Sequence, residues 1–445
     1  MANTYLTRTY GSGGNRKKWT MSMWVKRSKI LSGDDNMLFQ SYVSTYTYCP
    51  FDSNDRLRFQ DGSGGNKITT MKFRDTNAWY HIVVAIDTDL STAGDRYKIY
   101  VNGNRITAFD TDSNPSQGYE GEWNKASQVH NIGRHGGGSG YFDGLMSHIH
   151  FCDGYQYQAS DFGETDSTTG EWKIKTSPSV SYGTTGFFIL KDGNSVTDQS
   201  GNSNNWTANG TLTKSEDCPS NVFATLNPLT RSGAAVTLQK GNTSKVGSST
   251  NSWRSIVSTL GVSTGKYYFE AKMDGINSSD PNNFAIGITD YEQTDDQSST
   301  NGKFFAFSRG YGYYAGNGKK VNNDQNVDNG VAYGSTYTTG DIIGCAFDLD
   351  NGKIYFSKNG TWQNSGDPTS GSTGTGSAFN ITTGYTYFPV MAQYYSAEQY
   401  SFNFGNGYFG TTAVSSAGTN ASGNGVFEYD VPTGYTALST KGLNE

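Results

Sequence analysis

Proline and charge are both scarce in this chain. Nine prolines and 17% charged residues are spread over 445 positions. No stretch beyond about ten residues shows the 3.6-residue apolar period of an amphipathic helix, which excludes a helical bundle. Nor does any run approach the ~18 consecutive apolar residues of a membrane-spanning helix. A basic stripe is missing too. Lys and Arg number 34 against 40 Asp and Glu, a net charge of −6. Without clustered cations to replace phosphate counterions, a nucleic-acid partner is not expected. The short run Arg16-Lys17-Lys18 reads as a solvated turn. The N-terminal "MANTYLTRTYGSGG" lacks the basic-then-apolar order of a secretory leader. The four cysteines, Cys49, Cys152, Cys218 and Cys345, show no C-x-x-C spacing. They read as separate reduced thiols, with a Cys49–Cys152 bridge as the alternative. Folding in a reducing cytosol is the expectation.

What is present is glycine, 56 residues, and aromatics at 14%. Together with abundant Thr, Ser and Asn, they point to many short strands joined by polar turns. The expected class is all-β, and the length calls for more than one core. Two stretches resemble each other, "KIYVNGNRI" at 98–106 and "KIYFSKNGTW" at 353–362. Each alternates large and small or polar side chains and then turns on Asn-Gly, at Asn102-Gly103 and Asn359-Gly360. Both residue types tolerate φ > 0, as a tight primed hairpin demands.

Residues 1–160 supply strand-like runs at 19–28, 36–43, 56–61, 79–88, 97–103 and 142–154. The ordered set "MSMWVK", "WYHIVVAID", "YKIYVNGNRI" and "HNIGRHGGGSGYFDGLMSHIHFCDG" resembles a laminin G-like, concanavalin-type jelly roll. Residues 161–222 read as a connector, with "GFFILKDGN" (186–194) lending a strand to a neighbour. In residues 223–445, "GKYYFEAKMDG", "NFAIGITDYE" and "GDIIGCAFDLDNGKIYFSKNGTW" resemble a SPRY (B30.2-type) domain. The resemblance implies two antiparallel β-sandwiches of different families that share one hairpin solution.

Jelly rolls of this kind include glycosidases, which need a carboxylate pair on one face. The nearest approach is Glu120 and Glu122 in "YEGEW", beside Trp123, but they fall in a glycine-rich loop. A solvated turn is the better reading, and no enzymatic activity is expected. His148 and His150, at i and i+2 in "SHIHF", would share one strand face, without an evident third metal ligand. His81 in "WYHIVV" reads as structural. No cofactor is expected. The laminin G-like resemblance leaves Ca²⁺ open through Asp87, Asp89, Asp95, Asp110 and Asp112 in candidate loops. Asp348-Leu-Asp350-Asn-Gly reads as a turn.

Recognition is then the expected activity. The SPRY resemblance implies that loops at one sandwich edge bind partners. The tyrosines falling in the matching stretches are Tyr311, Tyr313, Tyr314, Tyr394, Tyr395 and Tyr400. Tyr offers a large, rigid, amphipathic contact, although strand alternation buries every second one. The low-complexity loop 364–377 is expected to be mobile or ordered against a neighbouring subunit. The combination looks like a tailed-bacteriophage virion protein. It would be a tail or head fibre, or a decoration protein, assembled in the host cytoplasm as a homo-oligomer with other virion proteins. Its implied partner is host surface polysaccharide or protein. The alternatives are a polysaccharide-degrading jelly-roll enzyme, a purely structural virion component and a bacterial surface adhesin.

Overall fold

The computed structural model describes residues 4–30, 33, 35–42, 46–191, 195–232, 236–248, 251–275, 283–290, 302–323 and 326–444. The ends of the expected strands at 43, 192–194 and 291–292 lie outside the described residues. The chain forms two compact units, Met1–Lys214 with Cys218–Ser220, and Ser215–Asp217 with Asn221–Glu445.

In the first unit, eight strands run in the order Phe109–Ser113, Gly65–Lys72, Arg56–Asp61, Tyr46–Phe51, Asn36–Tyr42, Val129–Ile132, Tyr5–Thr9 and Thr207–Asn209. A six-stranded sheet has the order Phe187–Ile189, Gly144–Asp153, Lys18–Arg27, Trp79–Asp87, Tyr97–Val101 and Asn104–Arg105. Alternation aims Trp19, Met21, Met23 and Val25 of one sheet at Phe39, Leu57 and Phe59 of the other, forming one core. Each large apolar side chain so buried stabilises the fold by roughly 1.5–3 kcal/mol.

The six-stranded sheet is covered on its other side as well. Val83, Ala85, Tyr100 and Cys152 are buried with Ala159 and Phe162, and Tyr157, Trp172 and Tyr182 pack against them. This second layer explains why Ile82-Val83-Val84-Ala85-Ile86 is apolar without alternation, the pattern of a strand buried on both faces. The compact unit runs to Lys214 and takes in most of the expected connector, whose Phe187–Ile189 and Thr207–Asn209 join the two sheets while Gly163–Thr165 and Trp172–Ile174 pair with each other. All four cysteines are unpaired, so the Cys49–Cys152 bridge is absent.

The second unit is also a sandwich. One sheet has the order Leu226–Ser232, Arg254–Ser258, Tyr387–Gln393, Phe284–Asp290, Gly310–Tyr314, Lys319–Val321 and Val331–Ala332. The other runs Val236–Gln239, Ser244–Ser248, Gln399–Asn403, Lys266–Gly275, Ile342–Asp348, Lys353–Lys358 and Thr361–Trp362. Phe269, Phe347, Phe356, Phe402 and Tyr313 meet Ile286, Ile288 and Met391 in the core between them. Here too the outer faces are covered. Phe304 and Phe305 lie on the first sheet, and Phe427, Val431 and Tyr435 lie on the second.

The loop 364–377 is ordered within its own unit, against expectation. Asp367 accepts from Thr369 N at 2.9 Å, Tyr435 donates to the Pro368 carbonyl at 3.0 Å, and Asp367 N donates to the Thr375 carbonyl at 2.9 Å.

The twin hairpins are as the sequence reads. Both central residues have φ > 0, at 46° and 84° for Asn102-Gly103 and 49° and 80° for Asn359-Gly360. Each asparagine also grips the neighbouring strand twice. Asn102 N donates to the His81 carbonyl at 2.9 Å, while its side-chain oxygen accepts from His81 N at 2.7 Å. Asn359 does the same to Ile342, at 2.8 Å in both directions. A Cβ at Gly103 would stand 2.7 Å from the Trp172 ring, and one at Gly360 2.7 Å from the Tyr429 ring. Gly103→Val and Gly360→Val are therefore each expected to cost about 1–3 kcal/mol. Denaturant midpoints of the two units measure this, and an unchanged midpoint contradicts it.

Candidate recognition site

The six expected tyrosines divide between interior and surface. Tyr311, Tyr313, Tyr314 and Tyr400 are buried, at 3%, 0%, 5% and 0% exposure. Tyr311 packs on Tyr387 and Phe379 and receives a hydrogen bond from Thr382 N at 3.0 Å. Tyr313 stacks among Tyr337 and Phe356 and donates to the Ser335 carbonyl. Tyr314 points to the other face, where Trp253, Phe304 and Phe305 cover it. Tyr400 lies against Phe284 and Phe402. These four belong to the sandwich rather than to a ligand loop, because both faces of each of the two sheets are covered. Only Tyr394 and Tyr395 remain half-exposed.

Those two sit on the turn between Tyr387–Gln393 and Gln399–Asn403. Their rings meet edge to face at 4.9 Å, and Tyr394 contacts half-exposed Trp253 at 6.0 Å. The Lys303 ammonium lies 5.4 Å over the Trp253 ring. Beneath the turn is a buried polar group. Glu398 caps it, accepting from Tyr395 N at 3.0 Å, and Gln393 donates to the Tyr395 carbonyl at 2.9 Å. Lys245 donates to the carbonyls of Ser396, at 3.0 Å, and of Glu398. Strand pairing sets Arg254 beside Gln393, and Lys245 beside Tyr400.

Burial pushes the Glu398 carboxyl up to about 7, against the pull of Lys245 and Arg254. Burial likewise lowers Lys245 to about 8. Glu398 Oε1, Gln393 Oε1 and the Tyr400 hydroxyl have no hydrogen-bond partner among the described residues. The turn is thus held rigidly from below and offers aromatic rings above. Sequence reasoning missed Trp253, Arg254, Lys245 and Glu398. The available signal was "SWRS" opening an apolar strand and a glutamate inside "YYSAEQY".

The other expected groups are used structurally. Glu120 binds Arg16 at 3.0 Å, and Glu122 binds Arg16 at 3.6 Å and Lys125 at 3.0 Å. Trp123 is fully buried in the core, so it presents no ring to a sugar. A bulge lies between Ser147 and His150, and the two histidines both stay near Phe188, with His148 at 5.7 Å. His148 takes φ 47° and meets Ser147, whereas His150 stacks on Phe188 at 3.9 Å and bonds Tyr182 at 2.9 Å.

The loop aspartates are each paired with a cation and do not converge. Asp87 meets Lys18, Asp89 meets Lys17, Asp95 meets Arg105, Asp110 meets Arg56 and Asp112 meets Lys67. Among the described residues no group of three or more His, Cys, Asp or Glu is arranged to hold a metal ion. Asp348 closes its turn by accepting from Asn351 N at 2.9 Å. His81 is buried between Trp24 and Trp172. It accepts at Nδ1 from the Trp172 indole at 3.0 Å, which places its proton on Nε2 toward Ser22, 2.9 Å away.

Comparison with known proteins agrees with the architecture. Residues 2–160 match the concanavalin A-like lectin/glucanases superfamily model, and residues 266–407 match the SPRY domain model. An ATP-dependent RNA helicase DDX1 of Xenopus laevis is 37% identical over 108 residues, which is 24% of this chain and 12% of that protein. The dual specificity protein kinase splA of Dictyostelium discoideum is 41% identical over 56 residues, 12% of this chain and 2% of the kinase. The chain therefore spans only a small part of either relative's length. The crystal structure of the SPRY domain of human HERC1 aligns with 40% of this chain and 96% of its own, at 17% identity and a TM-score of 0.30. The protein carries a concanavalin A-like, laminin G-type domain and a SPRY domain, both β-sandwiches, a pairing that suggests binding or recognition.

Proposed function

We propose that this protein is a non-enzymatic recognition component of a tailed-bacteriophage virion, a tail or head fibre or a decoration subunit. In this reading it assembles in the host cytoplasm with its own copies and other virion proteins, and contacts host surface polysaccharide or protein. The observation that carries the recognition role is the half-exposed Trp253–Tyr394–Tyr395 cluster on a turn fixed from beneath by Glu398. Unpaired thiols support folding in a reducing compartment.

A Tyr394→Ala, Tyr395→Ala variant is expected to keep its fold and to adsorb to host cells about thirtyfold more weakly, as for loss of a binding hot spot. Normal adsorption by the folded variant contradicts this site. Tyr311 and Tyr314 are unsuitable for such a test, since their truncation hollows the sandwich. Gold-labelled antibody on negatively stained virions tests the virion assignment, and unlabelled particles contradict it.

A further inference from the structure

The layer over the first unit's six-stranded sheet is fastened at its ends and loosely in its middle. At one end Thr20 Oγ1 donates to the Tyr155 carbonyl at 2.8 Å, and at the other Asp153 N donates to the Tyr182 carbonyl at 3.0 Å. Between them stands the hairpin of Gly163–Thr165 and Trp172–Ile174, which pairs only with itself and adds no strand to either large sheet. Among the described residues one hydrogen bond joins this hairpin to the sheet, from the Trp172 indole to His81 Nδ1 at 3.0 Å. The rest of the hold is packing. Trp172 stacks on His81 at 5.9 Å, His81 on Trp24 at 4.8 Å, and the layer's aromatics cover Val83, Ala85, Tyr100 and Cys152.

That one bond depends on the state of the imidazole. An indole N–H can only donate, and a protonated imidazole donates from both nitrogens. Neutral His81 accepts from Trp172 at Nδ1 and turns Nε2 to Ser22 Oγ, 2.9 Å away. A proton on Nδ1 sets two donors head to head. It also places a charge between two indole rings in a fully buried layer, at a cost that only release into water removes.

No anion nearby offsets this charge. Ser22 and Trp24 face His81 from the neighbouring strand and Trp172 from the hairpin, and burial holds the ring down at about 3. The second histidine under the layer, His150, bonds Tyr182 and feels only the cationic His148, His81 and Lys191. The acids of the layer are engaged elsewhere. Glu164 and Asp166 pair with Lys173 at 3.6 and 3.0 Å, and Asp161, whose charge reaches Cys152, accepts from Gln158 N at 2.7 Å.

We propose that this layer is a proton-operated cover: uptake of a proton by His81 severs the Trp172 tie, and the hairpin lifts from the sheet while the core between the two sheets stays closed. Once the hairpin has lifted, His81 meets water and titrates near 6.5. The closed cover is therefore fully favoured above that pH, and opening gains about tenfold per pH unit below it, because only the open form takes up the proton. The device is independent of the recognition reading.

The cysteines supply the test. Cys152 is fully buried under the cover, Cys49 is fully buried between the sheets, and Cys218 is half-exposed and serves as the reference thiol. The whole protein is pulsed with a dipyridyl disulfide, and the labelled cysteines are identified by mass spectrometry. Labelling of Cys152 relative to Cys218 is expected to rise about tenfold from pH 6 to pH 5, with Cys49 unlabelled. A flat ratio overturns the proposal. So does Cys49 labelled in step with Cys152, since that is unfolding of the whole unit. His81→Gln keeps an acceptor for the indole but no titrating proton, so its ratio should stay flat. A tenfold rise retained in that variant assigns the proton elsewhere and overturns the proposal. Trp172→Phe keeps a stacked ring and loses the donor, and should label Cys152 about fivefold faster already at pH 7. Unchanged labelling there contradicts the tie. Circular dichroism shows that the variants fold, and if His81→Gln does not, the wild-type pulse and Trp172→Phe decide the matter.

Discussion

Lowering the pH from 7 to 5 is expected to destabilise the first unit and stabilise the second. Burial holds His81 and His130 down at about 3 and His150 well below its ordinary value. In the unfolded chain each titrates near 6.5. Their stabilising contribution is therefore full above 6.5 and is lost as the pH falls toward 3, because only the unfolded chain takes up the protons. At pH 5 the loss is about 2 kcal/mol for each of His81 and His130, or about 4 kcal/mol for the two, and His150 acts in the same direction. Asp61 and Asp143, raised by burial, offset a part. The remainder still compares with a whole domain's stability of about 5–15 kcal/mol.

In the second unit the sign reverses. Burial pushes Glu270 and Glu398 up to about 7. As the pH falls from 7 toward 4.5, the folded unit binds protons that the unfolded chain does not. Each carboxyl then adds about 2 kcal/mol by pH 5. Scanning calorimetry of the full chain at the two pH values, with transitions assigned by hydrogen exchange, should show the first unit's midpoint falling and the second unit's rising. Midpoints that shift in the same direction contradict the argument.

Glu270→Ala is expected to cost about 3–4 kcal/mol and to free the C-terminal segment. This carboxylate is fully buried on the outer face of its sheet, with no cation bonded to it among the described residues. It is filled instead by four donors. Glu428 N and Asn403 Nδ2 reach Oε2 at 2.9 and 3.2 Å, and Tyr429 N and the Tyr268 hydroxyl reach Oε1 at 2.9 and 3.1 Å. Truncation strands all four in the interior, at about 1–3 kcal/mol for each buried group left unsatisfied, moderated by local relaxation. Glu270→Gln keeps the shape but turns one acceptor into a donor, so about 1–2 kcal/mol is expected. Hydrogen exchange should show protection lost first over 427–438, ahead of the core strands. Uniform loss throughout the unit contradicts the anchoring role.

The strand pattern, both Asn-Gly turns and the two sandwich families were legible because they rest on local chemistry. Alternation in "KIYFSK" and the positive φ of Asn359-Gly360 are properties of neighbouring residues. The covering layers were not legible as such. Phe162 and Tyr182 lie far along the chain from the Val83 and Ala85 that they cover, and nothing in their spacing announces the contact. The same blindness misplaced the site. Tyr311 and Tyr314 stand in a stretch rich in turn formers, yet solvent is excluded from one by Tyr387 and Phe379 and from the other by Trp253, Phe304 and Phe305. The buried Lys245–Glu398 group escaped notice because its members, one on a strand and one on a turn, are separated by more than 150 positions.

The covering layers also decide where this chain can be exchanged for another. The regions matched by family models end at 160 and 407. A crossover at either point would separate a sheet from part of its lid, leaving Val83 and Ala85 without Trp172, or Tyr268 and Tyr355 without Phe427 and Tyr435. Such chimaeras would inherit wet, sticky faces in place of finished modules. The stretches that keep each lid with its sheet are instead 1–214 and 221–445, and a crossover that respects both layers falls within 215–220.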